Sequence, residues 1–232
     1  MQPIPHPSPN FGERRDGLRP ELVVLHYTAM EDATAALERL SSPEFEVSAH
    51  YLVARDGTLH QLVDEDKRAW HAGGGDWRGR GDVNSRSIGI ELDNLGDTPF
   101  SQPLMQTLEA LLPGILSRWD IPPEGVIGHS DMAPTRKFDP GRRFDWARLA
   151  RQGLAVWPEA GDAPPDEGAF LKAAEVFGYD SFWGIDPVLG AFRQRFRPWA
   201  DGPLDAQDMG AMLDLAARFP PTFPIDPGAP SA

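Results

Sequence analysis

At 232 residues, with a formal net charge of −13 and no cysteine, the chain is long enough for one good core or for a main domain of about 150 residues plus an appendage. The acidic balance argues against a nucleic-acid surface, which needs clustered Lys and Arg. The lack of cysteine removes disulfides, thiolate metal ligands and cysteine nucleophiles. No run approaches the roughly 18 apolar residues of a membrane span. The opening MQPIPHPSPNFGERRDG is not a secretory signal, so the expected compartment is the cytoplasm.

Residues 1–20, rich in proline and polar groups, read as an extended arm. ELVVLHY (21–27) is a short apolar run with β-branched residues, which predicts a buried strand ending near His26. EDATAALERLSS (31–42) fits a short helix with acidic residues in its first turn. VSAHYLVARDGTLHQLVD (47–64) reads as two strands joined at Asp56-Gly57, a hairpin signal. AWHAGGGDWRGRGDVNSR (69–86) carries too much glycine for regular structure and predicts a draped loop. SIGIELDN (87–94) is another buried strand, and it holds Glu91. A carboxylate inside a strand is costly unless it is paired or working.

The segment 103–119 has helical periodicity interrupted at Pro113, and EGVIGH (124–129) makes a short strand. It leads into GHSDMAPTRKFDPG (128–141), whose proline and glycine content predicts a loop, the usual carrier of chemistry. FDWARLARQGLAVW (144–157) reads as a helix closing a first domain, 1–157. PEAGDAPPDEG (158–168) is a linker by composition. Three short helical patterns follow, at 169–179, 186–198 and 205–220, and the last twelve residues, with four prolines, read as a frayed tail (221–232).

His26 and His129 each end a predicted strand, and Asp139 lies in the loop. Two imidazole nitrogens, one carboxylate oxygen and an open position make a catalytic zinc set. Taken singly, each histidine also fits a structural role, and Asp139 before proline also fits a turn. A shared sheet, which would bring both strand ends to one edge, is what gives the set its weight. Glu91 is the candidate general base; its alternative is a buried glutamate paired with an arginine such as Arg86. Lys137 can stabilise an oxyanion or be a solvated loop lysine. His60 fits a structural residue of the hairpin, and His50 a packing residue or one supporting a ligand. Trp70 and His71 are candidate substrate contacts, with Asn94 and Arg136 beside them. Trp70 and Trp77 offer either sugar-stacking faces or loop anchors.

VVLHYT (23–28), SAHYLVARDGTLHQLVDEDKRAWHAG (48–73), SIGIELDN (87–94) and GHSDMAPTRKFDPG (128–141) together resemble the zinc-dependent N-acetylmuramoyl-L-alanine amidases of the amidase-2 family, in the AmiD-like and AmpD-type branch. The resemblance runs in order over about residues 5–157, and the GHSD to RKFDPG block is its most specific part. It implies one zinc ion per chain on His26, His129 and Asp139, catalysis by Glu91 and Lys137, and an α/β fold with a mixed central sheet flanked by helices, shared with peptidoglycan recognition proteins. GAFRQRFRP (190–198) and its neighbours resemble a small all-α three-helix peptidoglycan-binding domain. The implied reaction is hydrolysis of the amide between the lactyl group of N-acetylmuramic acid, including the 1,6-anhydro form, and L-alanine of the stem peptide, in cell-wall recycling. Two rivals are an envelope amidase acting on intact peptidoglycan and a muropeptide-recognition module without catalysis. The module typically loses a zinc ligand, and this chain keeps all three. A serine hydrolase is not supported, since no nucleophile elbow surrounds Ser130.

Overall fold

The structure, a computed structural model, describes residues 2–159 and 161–221, so the expected tail beyond Pro221 lies outside the described residues. The strands are β1 (Ile4–Pro5), β2 (Phe11–Glu13), β3 (Leu22–Tyr27), β4 (Tyr51–Val53), β5 (Leu59–Gln61), β6 (Lys67–Ala69), β7 (Ser87–Leu92) and β8 (Val126–Gly128). The helices are α1 (Ala33–Ser41), α2 (Val83–Arg86), α3 (Gln102–Trp119), α4 (His129–Met132), α5 (Trp146–Ala150), α6 (Glu167–Phe177), α7 (Ile185–Phe196) and α8 (Ala206–Arg218). Six strands form one mixed sheet in the order β1-β5-β4-β7-β3-β8, and β2 pairs with β6 in a separate antiparallel ribbon. The expected α/β architecture, a mixed sheet flanked by helices, is therefore the fold. Among the described residues no helix is long and apolar enough to cross a membrane.

Alternation along the central strands divides the core. Val23, Leu25, Ile88, Ile90, Leu92 and Val126 face α3, whose Leu104, Leu108, Leu112 and Ile115 bury one stripe of the helix against them. Each such side chain contributes roughly 1.5–3 kcal/mol when fully buried. On the opposite face, Leu22, Val24 and Ile127 pack with Trp77 and with Phe170, Phe177, Phe192 and Phe196 of α6 and α7. Further along that face α1 covers Leu52 with Ala36, Leu37 and Leu40. Between these two coverings the face is left open.

Several elements differ from the expectation. The N-terminal arm is knitted into the protein: β1 pairs in parallel with β5 at the sheet edge, a position that tolerates Pro5 because an edge strand can spare a donor. Helix α3 runs unbroken through Pro113, which sits on the exposed side. The loop 128–141 opens with one helical turn, α4, because the Asp131 carboxylate accepts from the Gly128 N–H at 2.8 Å. The helix expected over 144–157 is only α5; Asp145 caps its start, and the chain leaves the helix through Gly153 at φ +69°. Helix α6 starts two residues early, at Glu167, because Asp166 accepts from the Ala169 N–H.

Candidate metal centre and cleft

Strand register assembles the site. Along β3 the side chains of Leu22, Val24 and His26 share one face, and His26 lies directly across from Glu91 of β7. On the other flank β8 continues that face through Ile127 to His129 two residues on. The cis Asp139-Pro140 segment returns beneath it, with the Ser130 N–H donating to the Asp139 carbonyl at 2.9 Å. Three ligand-type atoms converge. His26 Nδ1 is 2.9 Å from both His129 Nδ1 and Asp139 Oδ2, and the last two are 3.0 Å apart. All three residues are buried and form a group able to hold a metal ion.

The proton positions follow from the partners. His129 Nε2 faces the Ala72 carbonyl at 3.0 Å, and a carbonyl only accepts, so Nε2 carries the hydrogen and Nδ1 a lone pair. For His26 the chain is longer. Ser87 Oγ donates its one hydrogen to the Val83 carbonyl at 2.6 Å, so it accepts from His71 Nε2 at 3.1 Å. His71 Nδ1 is then an acceptor, and it takes the hydrogen of His26 Nε2 at 3.0 Å. That leaves His26 Nδ1 with its lone pair turned inward. Two lone pairs and a carboxylate oxygen within 3.0 Å repel one another unless a cation or a proton lies among them. The donor set and its tautomers thus fit a metal ion of the zinc type.

The electrostatics agree. Burial, reinforced by the neighbouring His129, pushes His26 down to about 4, against the pull of Asp139, so its ring is neutral near pH 7. Burial would raise Asp139, but the two imidazoles set against it, His129 and then His26, hold its carboxyl far below the usual range. Glu91 is driven well above the usual carboxylate range by desolvation and then by the Asp139 charge, with Lys137 opposing. Its Oε2 is shut off from solvent without a hydrogen-bond partner. The alternative partner, Arg86, is engaged elsewhere: its Nε donates to Glu21 at 2.7 Å and its Nη1 to backbone carbonyls of the 77–81 turn.

A cleft of about 400 Å³ opens over these groups, lined among others by Trp70, His71, Glu91, Arg136, Lys137 and Phe138. His26, His129, Asp139, Glu91 and Lys137 are thus brought together, and Trp70 stands on the cleft wall. The other expected substrate contacts fare differently. Asn94 is buried away from the cleft: its amide donates to the Thr98 carbonyl at 3.2 Å and its oxygen accepts from Gly96, which holds a turn. His71 lines the floor, yet both ring nitrogens are committed to His26 and Ser87. Arg136 clasps the Ala72 and Gly74 carbonyls at the rim. Trp77 is fully buried against Phe177 and Tyr179, an anchor and not a sugar-stacking face. His50 accepts the Gly89 N–H at 2.9 Å and supports the strand. His60 sits in β5 near His6, as a structural residue would.

Two features of the site escaped sequence reasoning. Gly89 is required by close approach: a Cβ there would lie 2.4 Å from the His71 ring. A glycine inside SIGIEL was the available signal. Phe138, 62% exposed beside Asp139, forms part of the cleft wall.

The family model for N-acetylmuramoyl-L-alanine amidase matches residues 16–142, a span that holds every converging group. The chain belongs to the N-acetylmuramoyl-L-alanine amidase family. It is 37% identical to the N-acetylmuramoyl-L-alanine amidase AmiD of Escherichia coli, over 87% of this chain and 84% of that protein. It is also 37% identical to the 1,6-anhydro-N-acetylmuramyl-L-alanine amidase AmpD of Citrobacter freundii, over 62% of this chain and 86% of that one. Among solved structures, AmpDh3 of Pseudomonas aeruginosa in complex with anhydromuramic pentapeptide superposes with a TM-score of 0.80 at 31% identity, covering 89% of this chain and 95% of that one. The protein is an amidase of this family.

Proposed function

We propose that this amidase is zinc-dependent and hydrolyses the amide between the lactyl group of N-acetylmuramic acid and L-alanine of the stem peptide, acting on soluble muropeptides, the 1,6-anhydro form included, during peptidoglycan recycling. The observation that carries the reading is the register match of His26 with Glu91: it sets an unpaired carboxylate beside the His26, His129 and Asp139 cluster on the floor of an open cleft. His26 Nδ1, His129 Nδ1 and an Asp139 oxygen would hold the zinc ion. Bound there, zinc supplies Lewis acidity toward a carbonyl and lowers the pKa of water.

The side chains supply the rest. Glu91 takes a proton from the attacking water and delivers it to the leaving amine, so the carbon–oxygen bond forms as the carbon–nitrogen bond breaks and the proton count balances. A carboxyl raised by desolvation suits the second half of that task, since it holds the proton until the amine needs it. Lys137, half-buried on the cleft wall, offsets the negative charge that develops on the carbonyl oxygen. Trp70 offers its ring to the sugar or to the first stem residues. The anhydro substrate is supported by the name of the Citrobacter freundii relative and by the ligand of the Pseudomonas aeruginosa structure. A recycling role would place the enzyme in the cytoplasm.

The test is mass-spectrometric turnover of purified anhydromuramoyl-tripeptide and, alongside it, intact sacculi, each with and without a chelator. Chelator-sensitive release of free peptide from the soluble substrate alone is the expected result. Release mainly from sacculi would overturn the recycling role in favour of an envelope enzyme. No release from either by zinc-loaded protein would leave a recognition module. Fractionation of cells producing the protein checks the compartment.

A further inference from the structure

The C-terminal helices do more than stand beside the sheet. Arg195 of α7 and Tyr179, at the end of α6, reach into the loop that presents His129. Arg195 Nη1 donates to Asp131 Oδ2 at 2.9 Å and its Nη2 to the Val126 carbonyl at 2.8 Å. Tyr179 donates its hydroxyl to the other Asp131 oxygen at 2.6 Å. Asp131 in turn accepts from the Gly128 N–H. One guanidinium therefore ties the start of β8 to the end of the α4 turn, and His129 lies between the two tie points. The Arg195 and Asp131 side chains are each 1% exposed, and the guanidinium stacks 4.6 Å from the Trp146 ring. Ser130, between His129 and Asp131, donates its N–H to the Asp139 carbonyl, so the same turn also sets the third ligand.

The second tie is the loop that carries Ala72 and His71, the groups fixing the two histidine tautomers. Trp77 of that loop is sealed between Phe177 and Tyr179, and Gly178 has room for it only because it lacks a Cβ. The Arg78 N–H donates to the Gly178 carbonyl at 2.8 Å. Both loops bearing on the metal centre are thus clamped by residues 177–195.

We infer that the C-terminal helical unit is an integral support of the metal centre, with Arg195 and Tyr179 as positioning residues acting through Asp131 on His129 and Asp139. The inference rests on the metal reading above.

In the full-length protein, Arg195→Met keeps the length of the side chain and removes its donors. Arg193→Met removes a comparably buried pair with Asp208 whose further polar partners, Arg197, Gly202, Pro203 and Asp205, all lie within the C-terminal unit. Zinc affinity is measured by competition with a chromogenic chelator, and thermal stability is measured in parallel. Loss of a group that orients a ligand typically weakens metal binding about 10–100-fold, and that is the result expected for Arg195→Met, with a smaller loss in the same direction for Tyr179→Phe. Arg193→Met is expected to lower thermal stability and leave zinc affinity within about twofold. Equal loss of stability in both arginine variants, with zinc affinity unchanged in both, would overturn the inference. Should Arg195→Met fail to fold, Tyr179→Phe, which removes a single oxygen, decides alone: unchanged affinity overturns the inference. Affinity is read without substrate, so the result stands whatever the amidase assays give, whereas a native chain with no zinc affinity overturns this inference and the metal reading together.

Discussion

Replacing His71 by phenylalanine tests the proton accounting at the metal centre. The ring volume is nearly kept, but His26 Nε2 loses the acceptor it finds at 3.0 Å. A buried donor left unpaired costs about 1–3 kcal/mol. The imidazole can escape that cost by moving its hydrogen to Nδ1, which lies 2.9 Å from Asp139 Oδ2. The escape places a hydrogen where a metal ion needs a lone pair, so binding must undo it and repay about the same 1–3 kcal/mol. Zinc affinity should therefore fall roughly 5- to 150-fold near pH 7. Chelator competition measures the fall, and long-range nitrogen–proton correlation spectra of the metal-free protein report the tautomers directly. Native protein should show His26 and His71 both protonated on Nε2. Affinity within twofold of native, with His26 still protonated on Nε2 in the variant, would refute the reasoning.

Four other expectations concern catalysis and stability. Glu91→Gln preserves shape and should retain zinc while lowering kcat by about 10²–10⁴, the usual worth of a positioned proton-transfer group; Lys137→Ala should cost about 10²–10³ if it meets the oxyanion. Steady-state peptide release by metal-loaded protein measures both, and an unchanged kcat removes the role in question. Leu108→Ala, which opens a void between α3 and the sheet, should cost about 2–5 kcal/mol in urea unfolding. Glu65 carries a pH dependence: burial alone would raise its carboxyl, but donors from Arg118, Tyr51 and Trp119 hold it below the ordinary 4.5. A lowered folded pKa stabilises fully above the unfolded value and is lost as pH falls through the folded one. Glu65→Gln should thus be destabilising near pH 6 and lose that effect as the pH falls through the lowered folded pKa; a gap that is constant with pH would contradict it.

The chemistry of this protein was legible in its sequence because it is carried by residue types with few other uses at those places. A carboxylate inside SIGIEL and a histidine closing each of two apolar runs announce a site, since burying them without work is costly. Strands β3, β4, β5, β7 and β8 were legible from apolar runs and alternation, whereas β1, β2 and β6 were not, and α1, α3 and α6–α8 were legible from helical periodicity and capping residues, with boundaries shifted where Asp166 or Gly153 set the end. Which groups meet was another matter. Nothing local says that Arg86 pairs with Glu21 and leaves Glu91 free, that Trp77 is sealed in the core, or that Asn94 spends its amide on a turn. Those outcomes depend on strand order and on contacts between distant segments, such as Arg195 with Asp131 across 64 positions. A side chain's own chemistry limits what it can do, and that is written in the sequence. Its partners are set by the fold, because hydrogen bonds and ion pairs are satisfied in space, by whichever groups the packing of the sheet and helices brings within about 3 Å.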